Sequence, residues 1–246
     1  MIPYELKRDK DGILYYEEND ILRRRPLSID KRGSRYEKYY QNEFYPFRST
    51  DDYIIKFSLT GFARKERREI KEMLANLIDK QKDIKSVDFP IGYFVHMKKL
   101  AGLIVKYYKD GVSCDNVFST GLMDDLGKYY YHDEDSLHNL FLLFEEVLNI
   151  QEEMFDNGVY YMDTNAGNIV LSNNQVKIID FDRRYVKFTD KDQSLKSIMY
   201  SYFFLIRSAM LYYECNESIN NYCSSFKEAK VYTKKIENDL RKKTIF

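Results

Sequence analysis

The sequence has no tryptophan and few of the residues that build metal or disulfide centres. Its three cysteines, Cys114, Cys215 and Cys223, are odd in number and far apart, which excludes a disulfide framework and a zinc-ligand spacing. Its three histidines, His96, His132 and His138, do not pair with cysteine at ligand spacing. Neither sign of charge is in excess. There are 39 basic and 39 acidic residues, so no global field draws the chain to nucleic acid or to an anionic membrane. The triplet Arg23-Arg24-Arg25 is local and reads as a solvated strand or loop. The most apolar run, Tyr202 to Tyr213, is broken by Arg207 and too short to cross a bilayer. Charge follows Met1-Ile2-Pro3-Tyr4-Glu5 where a secretory leader would be apolar, so a reduced, cytoplasmic protein is expected. What is present is 246 residues, enough for a substantial core in one domain or two lobes, with 23 tyrosines and 16 phenylalanines to fill it.

The most informative stretch is 158–182. Three polar residues, Asp163, Asn168 and Asp180, stand in an apolar frame. Ile169-Val170-Leu171 and Val176 to Ile179 read as two short strands, with Ser172-Asn173-Asn174-Gln175 as the turn, because Asn tolerates the positive φ of tight hairpins. Such a hairpin brings Asn168 and Asp180 together at its open end, with Asp163 on the loop leading in. Two carboxylates and an amide oxygen then share one site. Phosphoryl transfer uses such a set: one carboxylate to orient a hydroxyl, and oxygen ligands for magnesium on nucleotide phosphates.

On these residues the chain resembles the protein-kinase-like superfamily, in which a catalytic loop Asp-x-x-x-x-Asn is followed, after a hairpin, by Asp-Phe-Gly. The stretches Ala166-Gly167-Asn168-Ile169-Val170-Leu171 and Ile179-Asp180-Phe181-Asp182 are similar to its atypical and small-molecule branches. Tyr161-Met162 replace His-Arg before the aspartate, Asn165 takes the place of a Lys or His, and Asp182 replaces the Gly of Asp-Phe-Gly.

The resemblance organises the rest of the chain. It implies an α+β, two-lobed kinase-like fold. The N-lobe, 1–108, has an antiparallel sheet and one helix; the C-lobe, 109–246, is reduced and mainly helical. Lys31 to Tyr36, with Gly33, stand where the family has a glycine-rich turn over the phosphates, and Tyr36 to Tyr40 would be the outgoing strand. Asp51 to Phe57 read as a turn and a strand carrying Lys56, the lysine expected on the phosphates. From Arg64 to about Lys82, Ile70, Met73, Leu74, Leu77 and Ile78 recur at helical spacing. Glu69 on that helix is the expected partner of Lys56, ahead of Glu72 and Glu66. Tyr93 to Met97 and Leu103 to Tyr108 read as a hairpin turning at Leu100-Ala101-Gly102. Lys106, Tyr107 and Tyr108 then open the hinge that would hold adenine.

Asp135-Ser136 offer an N-cap for a helix whose stripe runs from Leu137 to Phe155 and stops at Gly158. Two more helices are predicted, about Ser194 to Tyr213 and Ser224 to Arg241.

The implied activity is transfer of phosphate from ATP, with Mg2+, to an alcohol group. Asp163 would be the base. Asn168 and Asp180 would be metal ligands, with Asp182 adding a carboxylate. The short segment after Asp182 favours a protein Ser/Thr acceptor, with Thr189 a nearby candidate. A small-molecule acceptor, a pseudokinase that binds nucleotide or protein, and nucleotidyl transfer are the alternatives.

Overall fold

The computed structural model describes residues 6–27, 42–47, 52–59, 62–109, 111–114, 134–210 and 223–243. The chain is of the α+β class and divides into two compact units, 1–109 and 110–246. Gly33 and the strand expected at Tyr36 to Tyr40 lie outside the described residues. Among the described residues, no helix is long and apolar enough to cross a membrane.

Among the described residues, the first unit holds a six-stranded sheet and one long helix. Its strands are β1 (Lys7–Arg8), β2 (Leu14–Glu17), β3 (Asn42–Pro46), β4 (Tyr53–Ser58), β5 (Gly92–His96) and β6 (Lys99–Lys106), in the order β1-β2-β5-β6-β4-β3. The sheet is mostly antiparallel, as expected: among the described residues β2 pairs parallel with β5, and every other pair is antiparallel. Among its described residues, the stretch 1–50, which shows weak periodicity, supplies three strands.

Alternation along the strands divides the sheet into two faces. One is an aromatic core that includes Tyr16, Tyr45, Phe47, Ile55, Phe57, Phe94 and Ile104. The other carries a cross-strand row, Tyr15–Tyr93–Leu103–Lys56–Phe44. Helix α1 (Arg64–Lys80) lies on this second face, because its Lys71 ammonium sits 4.5 Å above the Tyr93 ring. The helix buries Ile70, Met73, Leu74 and Leu77, each worth about 2 kcal/mol when removed from water. Ile78, expected on the same stripe, is 40% exposed.

The β5–β6 turn is not at Leu100-Ala101-Gly102 but at Met97-Lys98, both with positive φ. Leu100 and Ala101 are buried in β6. Gly102 is there for closeness rather than for turning. A Cβ on it would lie 2.3 Å from the Lys56 carbonyl oxygen of the neighbouring strand.

In the second unit, helix α2 (Glu134–Asp156) buries Leu137, Leu140, Phe141, Phe144, Val147, Leu148, Met154 and Phe155, the stripe seen in the sequence. Asp135 and Ser136 fall inside this helix rather than at its cap. Its far end is closed by Gly158 at φ +77°. There the Gly158 N–H donates to the Phe155 carbonyl and the Val159 N–H to that of Met154. The chain continues through β8 (Tyr160–Tyr161), a short turn Ala166–Asn168, β9 (Ile169–Ser172), β10 (Gln175–Ile178) and β11 (Val186–Lys187). β9 also pairs with β7 (Val112–Ser113), and β8 pairs with β11. Helices α3 (Lys191–Met210) and α4 (Phe226–Lys243) follow. Tyr202 of α3 ties these helices together: its buried hydroxyl donates to the Phe144 carbonyl and meets the Thr233 hydroxyl at 3.0 Å.

Candidate active site

The β9–β10 hairpin forms as the sequence predicts, with a tighter turn. Only Asn173 and Asn174 lie outside the strands, at φ +51° and +59°. Two consecutive positive φ values match the twist of the flanking strands, and Asn adopts them at low cost. At the open end the Ile179 N–H donates to the Asn168 carbonyl at 2.9 Å, so the ends of both arms are held together.

Asp163 is fixed by the loop that precedes β9. Asn165 folds back on it: its Nδ2 donates to Asp163 Oδ1 at 2.9 Å, and its Oδ1 accepts from the Gly167 N–H at 3.0 Å. This is an Asx turn, for which Asn followed two residues later by Gly is a readable signal that the sequence reading passed over. The other carboxylate oxygen, Oδ2, accepts from Asn168 Nδ2 at 2.8 Å. Behind the loop, buried Gln151 of α2 donates to the buried Thr164 hydroxyl.

Asp163 thus takes its bonds from neutral amides. Among the described residues no lysine or arginine pairs with it. Partial burial pushes its carboxyl above the ordinary carboxylate range. The bonds from Asn165 and Asn168 oppose that shift, and the charges of Asp180 and Asp182 reinforce it.

Asp180 follows β10 at φ +65°, a left-handed conformation that Asp, like Asn, adopts more readily than other side-chain-bearing residues. The residue after it, Phe181, is buried with its ring 5.0 Å from that of Tyr161.

Asp182 is close by, but both of its carboxylate oxygens are taken by Arg184. Nε donates to Oδ1 at 3.1 Å and Nη2 to Oδ2 at 3.0 Å, with the Arg184 N–H on Oδ1 as well. This fork-to-fork pair competes with a cation for Asp182. Among the described residues no three His, Cys, Asp or Glu side chains form a metal-holding group. A hard cation that keeps most of its water needs only one or two carboxylates. Asp180 and the amide oxygen of Asn168 are a donor set of that kind.

Tyr161 is the site residue that sequence reasoning missed, since in the sequence it is one aromatic among many. It is fully buried, accepts from Asn168 Nδ2 at 3.0 Å and donates to the Ile179 carbonyl at 3.1 Å.

In the first unit, Lys56 lies half-buried on β4, on the face that α1 covers. Of the three glutamates, Glu66 caps α1 by accepting the Ala63 N–H at 2.7 Å. Glu72 is exposed and faces Arg68 at 3.4 Å. Glu69 is partly covered, with Lys65 at 3.7 Å. Lys106 ends β6 with its ammonium 5.2 Å from the Tyr53 ring centre. Next to it, the Tyr107 N–H is committed to the Asp52 carbonyl at 2.8 Å, and the Tyr108 hydroxyl donates to Asp88 at 2.6 Å. Thr189 is exposed between β11 and α3. No protein-family profile matches the chain, and no curated protein matches it.

Proposed function

We propose that the chain has a two-lobed protein-kinase-like fold, with 1–109 and 110–246 as its lobes, and transfers the γ-phosphoryl group of Mg-ATP to a Ser or Thr hydroxyl of a protein. One observation carries this reading. At the open end of the β9–β10 hairpin, a single amide, Asn168, bonds a carboxylate pushed above its ordinary range, Asp163, with the charge of Asp180 nearby.

Asp163 accepts the proton of the acceptor hydroxyl as its oxygen attacks the γ-phosphorus. The bond from that phosphorus to the bridging oxygen breaks, and ADP leaves. A general base works best when its pKa lies near the working pH, so the upward shift of Asp163 suits the task. Asn168 Oδ1 and Asp180 would hold Mg2+, which neutralises charge on the phosphate oxygens. Lys56 binds phosphate, and α1 orients it through Glu69. Only eight residues, 183–190, separate Asp182 from α3. They leave few groups to enclose a small metabolite, which favours a hydroxyl on an exposed segment such as that carrying Thr189.

The test has two stages. Mg-ATP is expected to raise the melting temperature, with the metal-dependent part lost in Asp180→Asn. Intact-mass measurement after incubation with Mg-ATP is expected to show added phosphate, absent in Asp163→Asn. No thermal shift at millimolar Mg-ATP overturns nucleotide binding. A shift with phosphate on metabolites alone overturns the protein acceptor.

A further inference from the structure

We infer that Tyr161 is a positioning residue that, together with Asp163, sets the polarity of the Asn168 side chain and so which of its atoms faces a cation. This rests on the proposed role of Asn168 as a magnesium ligand. An amide offers an oxygen on one side and an NH2 group on the other, and only the oxygen can bind a metal. The chain of bonds around Tyr161 fixes the choice. The phenol hydrogen is directed to backbone acceptors, the Ile179 carbonyl at 3.1 Å and the Asp180 carbonyl at 3.5 Å. A carbonyl cannot donate, so the phenol must. Its oxygen is then left as an acceptor toward Asn168, which has to present its NH2 group at 3.0 Å.

Asp163 makes the same demand from the other side, through its carboxylate oxygen at 2.8 Å and its backbone carbonyl at 3.0 Å. Every one of these partners accepts, so the amide oxygen must face away from all of them. Tyr161 is fully buried. The same hydroxyl bonds the carbonyl immediately before Asp180. One buried oxygen therefore ties together the chain positions of both proposed metal ligands.

The Tyr161→Phe variant removes that oxygen and keeps the ring packed on Phe181. With Mg2+ titrated at fixed ATP and followed by thermal shift, the half-saturating Mg2+ concentration is expected to rise about tenfold, in line with the loss of a group that orients a metal ligand. A merely structural role would lower the melting temperature of the nucleotide-free protein and leave the Mg2+ midpoint unchanged. That result overturns the inference. If the native chain itself shows no Mg2+-dependent shift, the phosphotransferase reading fails first, and the two failures are distinct.

A second measurement needs no Tyr161 variant. In 1H–15N spectra of the native chain, the Asn168 side-chain NH2, identified by its disappearance in Asn168→Asp, is expected to exchange slowly with water. Fast exchange means that the NH2 group faces solvent, and that also overturns the assignment.

Discussion

Asp9 in the first unit and Asp163 in the second are both recessed carboxylates held by side-chain hydrogen bonds, and their surroundings differ in one respect. Asp9 has a counter-charge. Lys71 donates to its Oδ2 at 2.6 Å, Tyr93 donates to the same oxygen at 2.9 Å, and the Asp11 and Ile13 N–H groups both bond Oδ1 at 3.0 Å. Burial alone would push Asp9 up; these bonds outweigh it and hold the carboxyl below its ordinary range. Asp163 has amides in place of an ammonium and further carboxylates within electrostatic reach, and it is pushed up. Asp9 fastens the N-terminal β1–β2 hairpin to α1 and to the sheet. Asp163 retains a charge that its surroundings leave uncompensated, which is how a group available for chemistry differs from one used as a fastener.

The largest effect that would sharpen this contrast is on turnover. Asp163→Asn keeps the shape and removes the base, so the proposed phosphoryl transfer should fall by about 10²-fold or more with ATP affinity little changed. Equal turnover in a steady-state assay would make Asp163 a fastener too. The second effect is on stability. Lys71→Met leaves the Asp9 carboxylate recessed without its cation, at an expected cost of about 1–2 kcal/mol by urea unfolding. Asp9→Asn should cost less, because the amide can still accept from Tyr93. Equal or higher stability of Lys71→Met would break the comparison from the other side.

The smallest effect is in the pH dependence, where the two carboxylates act with opposite sign. The contribution of Asp9 is fully present above the ordinary value of 3.8 and is lost as pH falls through its lower folded value. Asp163 favours the folded state when protonated. Its contribution is fully present below 3.8 and is lost as pH rises through its higher folded value. In melting curves recorded across acidic pH, Asp9→Asn should therefore lose part of the drop below 3.8. Asp163→Asn should gain stability relative to the native chain above its folded value. Shifts of the same sign in both variants would contradict the electrostatic assignment.

The two hairpins mark where sequence reading succeeds and where it stops. Both turn on two residues of positive φ, Asn173-Asn174 and Met97-Lys98. Asn is at home in that conformation, so the first turn is legible. Met97 and Lys98 carry no such signal. Part of what anchors their turn is the Met97 N–H donating to the Asn19 side chain, 78 residues away, at 2.8 Å. Gly102 drew the predicted turn to itself, although its role is to let β4 approach β6.

The sequence by itself determined the stripes of α1 and α2, the closure of α2 at Gly158, the β9–β10 hairpin and the spacing that gathers Asp163, Asn168 and Asp180. All of these are local, and their physics is periodicity and backbone preference over a few residues. Only the tertiary structure decided the parallel seam between β2 and β5 and the fastening of Asp9 to Lys71 and Tyr93, 62 and 84 residues away. It also decided the part played by Tyr161. A hydroxyl or a carboxylate has the same formula in every context. Its partners, and with them its charge and its direction, are set by groups that the fold brings to it.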